Sequence, residues 1–514
     1  MTLSSLAQKI LHPRRRQLAG EMARVYLQRL AEWRQLTPEP PGGGRAGVLV
    51  TPWLRSAVPF YNLEIALEIA RLGLSVTIFW DASDVFGNAS ERSEVEDIGQ
   101  LLEHLPPHLT VVRMDDDTPC SEAVETGLAE SIVRENAIWK MRGEERAEDF
   151  ISSRPEIRAA AEAHLGRVHH LLRTNAVDWL LVPGGIYGLS AAYLAIARKL
   201  GMGVSTYDSD PGMLMTAHDG AAAHHADMAR VFAQLQAEFV DRPWELEGLV
   251  EGSRAELAKR QAGVSTLFQF QKVAATNVAT SDCNILVPLN LRWDSASLSR
   301  QRLFPSVSAW LSQLIQWVER NPAARLCLRQ HPCERFDEIR GSDDVRPLIE
   351  AAGDATRQRI TFVAADDPSN TYDLMRTARV VLPFTSTLGV EAIMLGIPVV
   401  TSTNCYYADM GFVWNARTVG EYFDLIGQAL EGRLTVDDKA QRGAALTYGL
   451  TQNWAQIKTL FTPAPPDFPK WTALHPRELW SLEETADMMK ALITRVPLSY
   501  LRYRRSSPLT GTQP

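Results

Sequence analysis

The chain of 514 residues is 45% apolar and 22% charged, with a formal charge of −8. Those proportions exclude wholesale disorder, a collagen-like or coiled-coil rod, and a protein that as a whole binds nucleic acid through net positive charge. At roughly 150 residues per domain the length predicts two or three domains.

Residues 1–45 carry a net +5 and are read as a basic helical extension and linker. Met22, Val25, Tyr26, Leu30 and Trp33 fall at helical spacing with arginines between them, a stripe that suits either an anionic membrane surface or the protein's own core. The run Thr37 to Gly44 is a linker by composition. Strand and helix patterns then alternate. Strands are expected at 47–51, 75–80, 109–113, 179–182 and 203–207, and helices at 63–72, 159–175 and 189–200. This is a parallel α/β domain assigned to residues 46–270, with helical insertions. After a linker at 271–282 the alternation restarts. Strands are expected at 285–288, 325–329, 360–363, 380–382 and 398–401, with helices at 307–319, 371–377, 388–395 and 419–430. That gives a second α/β domain over 283–460. A helix near 482–492 and a basic tail, +4 over residues 491–514, close the chain. The expected architecture is two doubly wound Rossmann-like domains facing across a cleft, with an N-terminal helical extension. Ligands of such sheets bind outside the carboxyl ends of the strands.

No leader is expected, because residues 1–30 contain no apolar run before a small-residue cleavage site, and no membrane span, because the most apolar stretch, Val380 to Val400, is broken by Pro383, Gly389, Glu391, Gly396 and Pro398. The five cysteines, 120, 283, 327, 333 and 405, form no CxxC pair and are expected to be reduced thiols of a cytosolic protein.

Two motifs carry chemistry. Arg329-Gln330-His331-Pro332 ends a strand, so Arg329 and His331 are expected to share a face and present two hydrogen-bond donors to a phosphate leaving group. The alternative is a solvated strand edge. Pro383 to Ala392 joins a strand to a helix, with Ser386 or Thr387 as N-cap and free N–H groups able to meet a phosphate. Glu391, in an otherwise apolar helix, is expected to accept from ribose hydroxyls. Ordinary capping is the alternative for Ser386.

These motifs, in this order, resemble the nucleotide-binding half of GT-B glycosyltransferases. More narrowly they resemble the capsule polysaccharide biosynthesis family, which includes Kdo transferases. They are also similar to bacterial sialyltransferases and glycerophosphotransferases with an HP motif and a Ser/Thr motif. The segments Val287 to Ser295, with Asn290 and Asp294 as donor or acceptor contacts, and Gly396 to Phe412 add to the likeness. The resemblance implies that His331 and the Ser386/Thr387 pair contact the phosphate of a cytidine nucleotide. It further implies transfer of a sugar from a nucleotide donor to a surface glycan, with a lipid-linked acceptor and basic ends at the inner face of the membrane. Retaining GT-B enzymes often place two glutamates with seven residues between; here the first would be Pro383, so an inverting enzyme is expected. No metal or other cofactor is expected. The alternatives are an epimerase or glycerophosphotransferase of the same fold, and a non-catalytic export module.

An inverting transfer needs a base for the acceptor hydroxyl. Asp208 is the first choice, as a residue just past a strand end, with Asp210 and Asp219 behind it; each is equally readable as a turn residue. Gly184 and Gly185 would either bring backbone N–H groups to an acceptor phosphate or form a tight turn. Trp53 would line the cleft. His218, His224, His225 and Asp227 suggest a metal less readily than a helix surface.

Overall fold

A computed structural model describes residues 24–36, 38, 42–54, 56–87, 92–120, 126–210, 212–262, 283–463 and 467–506. The linker expected at 271–282 lies outside these, as do residues 1–23 and the end of the basic tail. The chain divides into two compact units. One gathers residues up to Ala137, Phe150–Asp227 and the chain from Asn453 onward; the other gathers Ile138–Asp149 and Met228–Gln452.

The first unit is built on a seven-stranded sheet. Its strands are β1 (Arg45–Val50), β2 (Ser75–Trp80), β3 (Thr110–Arg113), β4 (Trp179–Pro183), β5 (Gly203–Asp210) and β6 (Met213–His218), with a late strand, Gln456–Lys458, on the edge. The parallel part runs β5-β4-β1-β2-β3, and β6 and the late strand join it antiparallel. The strand order reverses direction between β1 and β4, which is the switch point of a doubly wound sheet. β1 and β4 are buried nearly throughout, as expected for parallel strands covered on both faces.

The helix over 24–35 settles one alternative. Tyr26, Leu30 and Trp33 enter the core of this unit, and Arg29, only 3% exposed, pairs with Glu64 at 2.6 Å. Its guanidinium also donates to the carbonyl of Leu474 at 2.9 Å. The apolar stripe therefore packs on its own protein. The C-terminal arginines are likewise engaged: Arg495 pairs with Asp219, Arg505 with Glu483 and Asp487, and Arg502 donates to Gln456 O at 2.8 Å. No helix among the described residues is long and apolar enough to cross a membrane.

The second unit holds β7 (Ile285–Pro288), β8 (Leu326–Arg329), β9 (Ile360–Val363) and β10 (Val380–Val381), all parallel, in the order β10-β7-β8-β9. A bridge from Val381 to Val399 continues the parallel order past β10. This repeats the topology of the first sheet, with its switch point between β7 and β10. The amphipathic helix Val307–Arg320 covers one face through Trp310, Leu311, Leu314 and Val318.

The domain boundaries differ from those expected. Residues 228–261, assigned in sequence to the first domain, belong to the second unit, where the helix Pro243–Gln261 packs on the helix Asp438–Gly449. Residues 453–514 return to the first unit, because the strand Gln456–Lys458 pairs with β6. Pairings this distant in sequence leave no local mark.

Candidate functional site

At the switch point of the second sheet, the chain leaves β7 through Leu289 and Asn290 and leaves β10 through Leu382 to Thr387. Four groups fix the second loop. Thr403 Oγ1 donates to the carbonyl of Phe384. The Thr385 N–H donates to Asn290 Oδ1 at 3.2 Å, and the Thr385 hydroxyl lies 3.4 Å from Ser297 Oγ. Tyr407 Oη donates to Ser386 O at 2.7 Å. Asp294 helps indirectly, since its carbonyl accepts from Ser297 N at 2.8 Å and turns that residue toward Thr385. The Ser386 hydroxyl accepts from Leu388 N at 3.3 Å. Thr387 occupies the N-cap position but makes no side-chain cap bond. Ser386 and Thr387 are half-buried.

At the end of β8, Arg329 and His331 take different partners. Arg329 is 3% exposed and its guanidinium donates to the carbonyls of Ala364, Asp367 and Ser369 in the loop after β9. It braces that loop and does not present its donors beside His331 as expected. Gln330 ties the same loop, accepting from Ala365 N at 3.0 Å and donating to Glu334 Oε2 at 3.1 Å. His331 is half-buried and caps the short helix Pro332–Arg335, its Nδ1 accepting from Cys333 N at 3.2 Å. An Nδ1 that accepts places the neutral ring's proton on Nε2. Burial, with the nearby Arg329 charge, pulls this imidazole down to about 4, so near neutral pH it is an uncharged N–H donor. β8 and β10 flank β7, which sets their ends roughly 10 Å apart. Beside the loops after β7 and β8 lies a small hollow of about 40 Å³ edged by Asn290, Arg292, Gln330 and Glu334. Arg292 is held there by Asp343 at 3.1 Å.

Glu391 departs from expectation. It is 0% exposed, under its helix and away from any ribose that solvent could deliver. Arg260, from the helix Pro243–Gln261, lies 3.5 Å from Glu391 Oε1. Glu391 and burial together act on this guanidinium, and the carboxylate's attraction wins, raising its pKa. The hydroxyls of Tyr372 and Tyr448 share the charged pocket, both pushed up by burial and by Glu391, that of Tyr448 to about 12. Glu391 therefore anchors the helix that follows Ser386–Thr387. A glutamate in an apolar helix signals an internal ion pair as readily as a ligand contact, and nothing local to it points to Arg260.

In the first unit, Asp208 stands one residue beyond the β4–β5 register, which ends at Pro183–Tyr207, and so at the carboxyl edge of the parallel strands. β5 nevertheless continues to Asp210 as a hairpin with β6, placing Asp208 opposite Met215 inside a strand and not past its end. Its Oδ1 accepts from Ser209 N at 2.9 Å. The side chain of Asp210 lies outside the described residues. Asp219 is a lock: its Oδ1 accepts from Val204 N at 3.0 Å and its Oδ2 pairs with Arg495, so it is a structural aspartate. Gly184 and Gly185, at φ of +65° and +91°, form the tight turn, and a Cβ at Gly185 would come 2.7 Å from Leu194. Trp53 stacks on Tyr187, ring centroids 5.5 Å apart, joining the loops after β1 and β4. The expected helix surface at His218 is instead buried. Its Nδ1 is 2.7 Å from Asp227 and its Nε2 is 3.0 Å from Ala491 O. Among the described residues no group of three metal-ligating side chains converges, and all five cysteines are free thiols.

Residues 245–420 match the sequence family described as capsule polysaccharide biosynthesis protein. That span contains β7 to β10 and the loops that follow them. No curated protein matches. Among solved structures, the chain is similar to the beta Kdo 2,4 transferase of Thermosulfurimonas dismutans KpsC at 13% identity, over 52% of this chain and 79% of that one, with a TM-score of 0.33. The beta Kdo 2,7 transferase of the same KpsC gives 16% identity, 57% and 82% coverage and a TM-score of 0.31. A putative UDP-N-acetylglucosamine 2-epimerase of Listeria monocytogenes gives 11%, 79%, 94% and 0.25.

Proposed function

From the membership of residues 245–420 in the capsule polysaccharide biosynthesis family, we propose that the protein is a glycosyltransferase. It moves a sugar from a nucleotide donor, CMP-linked in the first instance, to a surface or capsular polysaccharide. What supports this reading is that His331 follows β8 and Ser386–Thr387 follow β10, the strands on either side of β7, at the switch point of the sheet within residues 245–420. A switch point is where doubly wound sheets bind ligands.

In this proposal the Nε2–H of His331 and the hydroxyls of Ser386 and Thr387 donate to the phosphate oxygens of the donor. As the glycosidic C–O bond breaks, negative charge grows on those oxygens. Donors already fixed in place stabilise it without reorganising. Arg329 and Glu391 act one layer below, bracing the loop after β9 and the helix after Thr387. Asp208 of the first unit is the candidate base for an acceptor hydroxyl, as an inverting transfer requires.

A thermal-shift panel of CMP, CDP, UDP, GDP and ADP tests the donor site. Ligand at 100 times its dissociation constant raises stability by about 2.7 kcal/mol. Selective stabilisation by CMP supports a CMP-linked donor, and stabilisation by UDP alone replaces it. Silence from all five contradicts the nucleotide reading and favours an export module. An epimerase of similar fold is separated by incubating the nucleotide sugar without acceptor, since only an epimerase would convert it.

A further inference from the structure

The hydroxyls of Ser386 and Thr387 lie in a loop, and the position of Ser386 is set from beneath by one side chain. Tyr407 is fully buried, and its hydroxyl donates to the carbonyl of Ser386 at 2.7 Å. Burial holds that phenol well above its usual range, so it stays protonated and remains a donor. The approach depends on a missing side chain: Gly389, three residues past Ser386, leaves the room that Tyr407 Oη occupies. A Cβ at Gly389 would run into that oxygen and lie 2.8 Å from Tyr407 Cζ. Tyr407 is itself fixed, its ring 4.9 Å from Tyr406 edge-on and 6.4 Å from Phe412. The next residue back, Thr385, is tied by Asn290 and Ser297, and Ser386 O also accepts from Gly389 N at 3.1 Å, so Tyr407 adds the side-chain restraint on the carbonyl at the head of the helix.

We propose that Tyr407, admitted by Gly389, is a positioning residue that sets the Ser386 hydroxyl for the donor phosphate. This rests on the reading of Ser386 as a phosphate ligand. The phenol touches no substrate, and its effect passes through the Ser386 peptide. Two groups acting through one contact are non-additive, whereas independent groups add.

The test is calorimetric titration of whichever of CMP, CDP, UDP, GDP and ADP binds the full-length protein. It compares wild type, Ser386→Ala, Tyr407→Phe and the double variant, with thermal melts to show that each is folded. Ser386→Ala is expected to weaken binding about tenfold, the size of one hydrogen bond to a charged group. Tyr407→Phe is expected to weaken it about three- to tenfold in the wild-type background and not at all in the Ser386→Ala background. Gly389→Ala, which displaces the same phenol by a different route, should reproduce Tyr407→Phe. A Tyr407→Phe loss that persists undiminished in Ser386→Ala, or no loss in wild type, overturns the positioning role while leaving the phosphate site standing. If no nucleotide binds, or Ser386→Ala binds as wild type does, the phosphate reading falls and the role of Tyr407 falls with it.

Discussion

The two sheets of this molecule share a strand order and differ in what they place at the point where that order reverses. At the β1/β4 switch point the loops meet through an aromatic stack, Trp53 on Tyr187, and a turn made by Gly184 and Gly185. At the β7/β10 switch point they meet through hydrogen bonds that hold a loop ending in Ser386 and Thr387, with the N–H donor of His331 one strand beyond. Topology selects where a ligand can sit, and the side chains on those loops select which ligand. In the proposed reading the second site donates to anionic oxygens, and Asp208 of the first is the base for an acceptor hydroxyl.

The largest expected effect that separates the two regions is His331→Ala. Transfer should fall about 10²- to 10³-fold, the range for loss of one fixed donor at a developing charge, while the melting temperature stays near wild type. Full turnover would break the comparison. Next comes the anchoring of the second site. Glu391→Ala leaves Arg260 without its buried partner and should cost about 3 kcal/mol in urea unfolding; a cost near zero would mean the pair holds nothing. In the first region, Gly185→Ala forces a side chain into a left-handed turn against Leu194 and should cost about 1–3 kcal/mol, with nucleotide affinity unchanged.

A smaller effect is expected from pH. His331 and His225 each sit near 4 in the folded chain, burial being the first cause in both. A histidine whose folded pKa lies below its unfolded value of about 6.5 favours folding fully above that value. That contribution is lost as pH falls from 6.5 toward 4, where the unfolded chain takes up the proton first. Unfolding free energy should therefore decline over that window, less steeply in His331→Ala. From pH 8 to 5.5 nucleotide affinity should follow only the ligand's own phosphate, which protonates at about pH 6, because the protein donor is the neutral ring; a further transition that His331→Ala removes would contradict it. The smallest effect is Trp53→Ala, which should leave nucleotide affinity unchanged.

What the sequence disclosed follows from how local each cause is. Ile285–Pro288 and Ile360–Val363 are short apolar runs, and their boundaries agree with the observed strands. His331-Pro332 stands at a strand end because proline stops the ladder there. The partners of the candidate residues were not legible. Arg329 is drawn to carbonyls after β9, Glu391 to Arg260, and Asp219 to Arg495, each across a stretch of chain that periodicity does not register. Gly389 was the one local signal for Tyr407, since a glycine inside an apolar helix marks a close approach.

Hydrogen exchange with and without a binding nucleotide tests the central claim most directly. The account predicts protection in 289–297, 330–336 and 384–388, with 51–54 and 184–188 unchanged. Protection confined to the loops after β1 and β4 would contradict it.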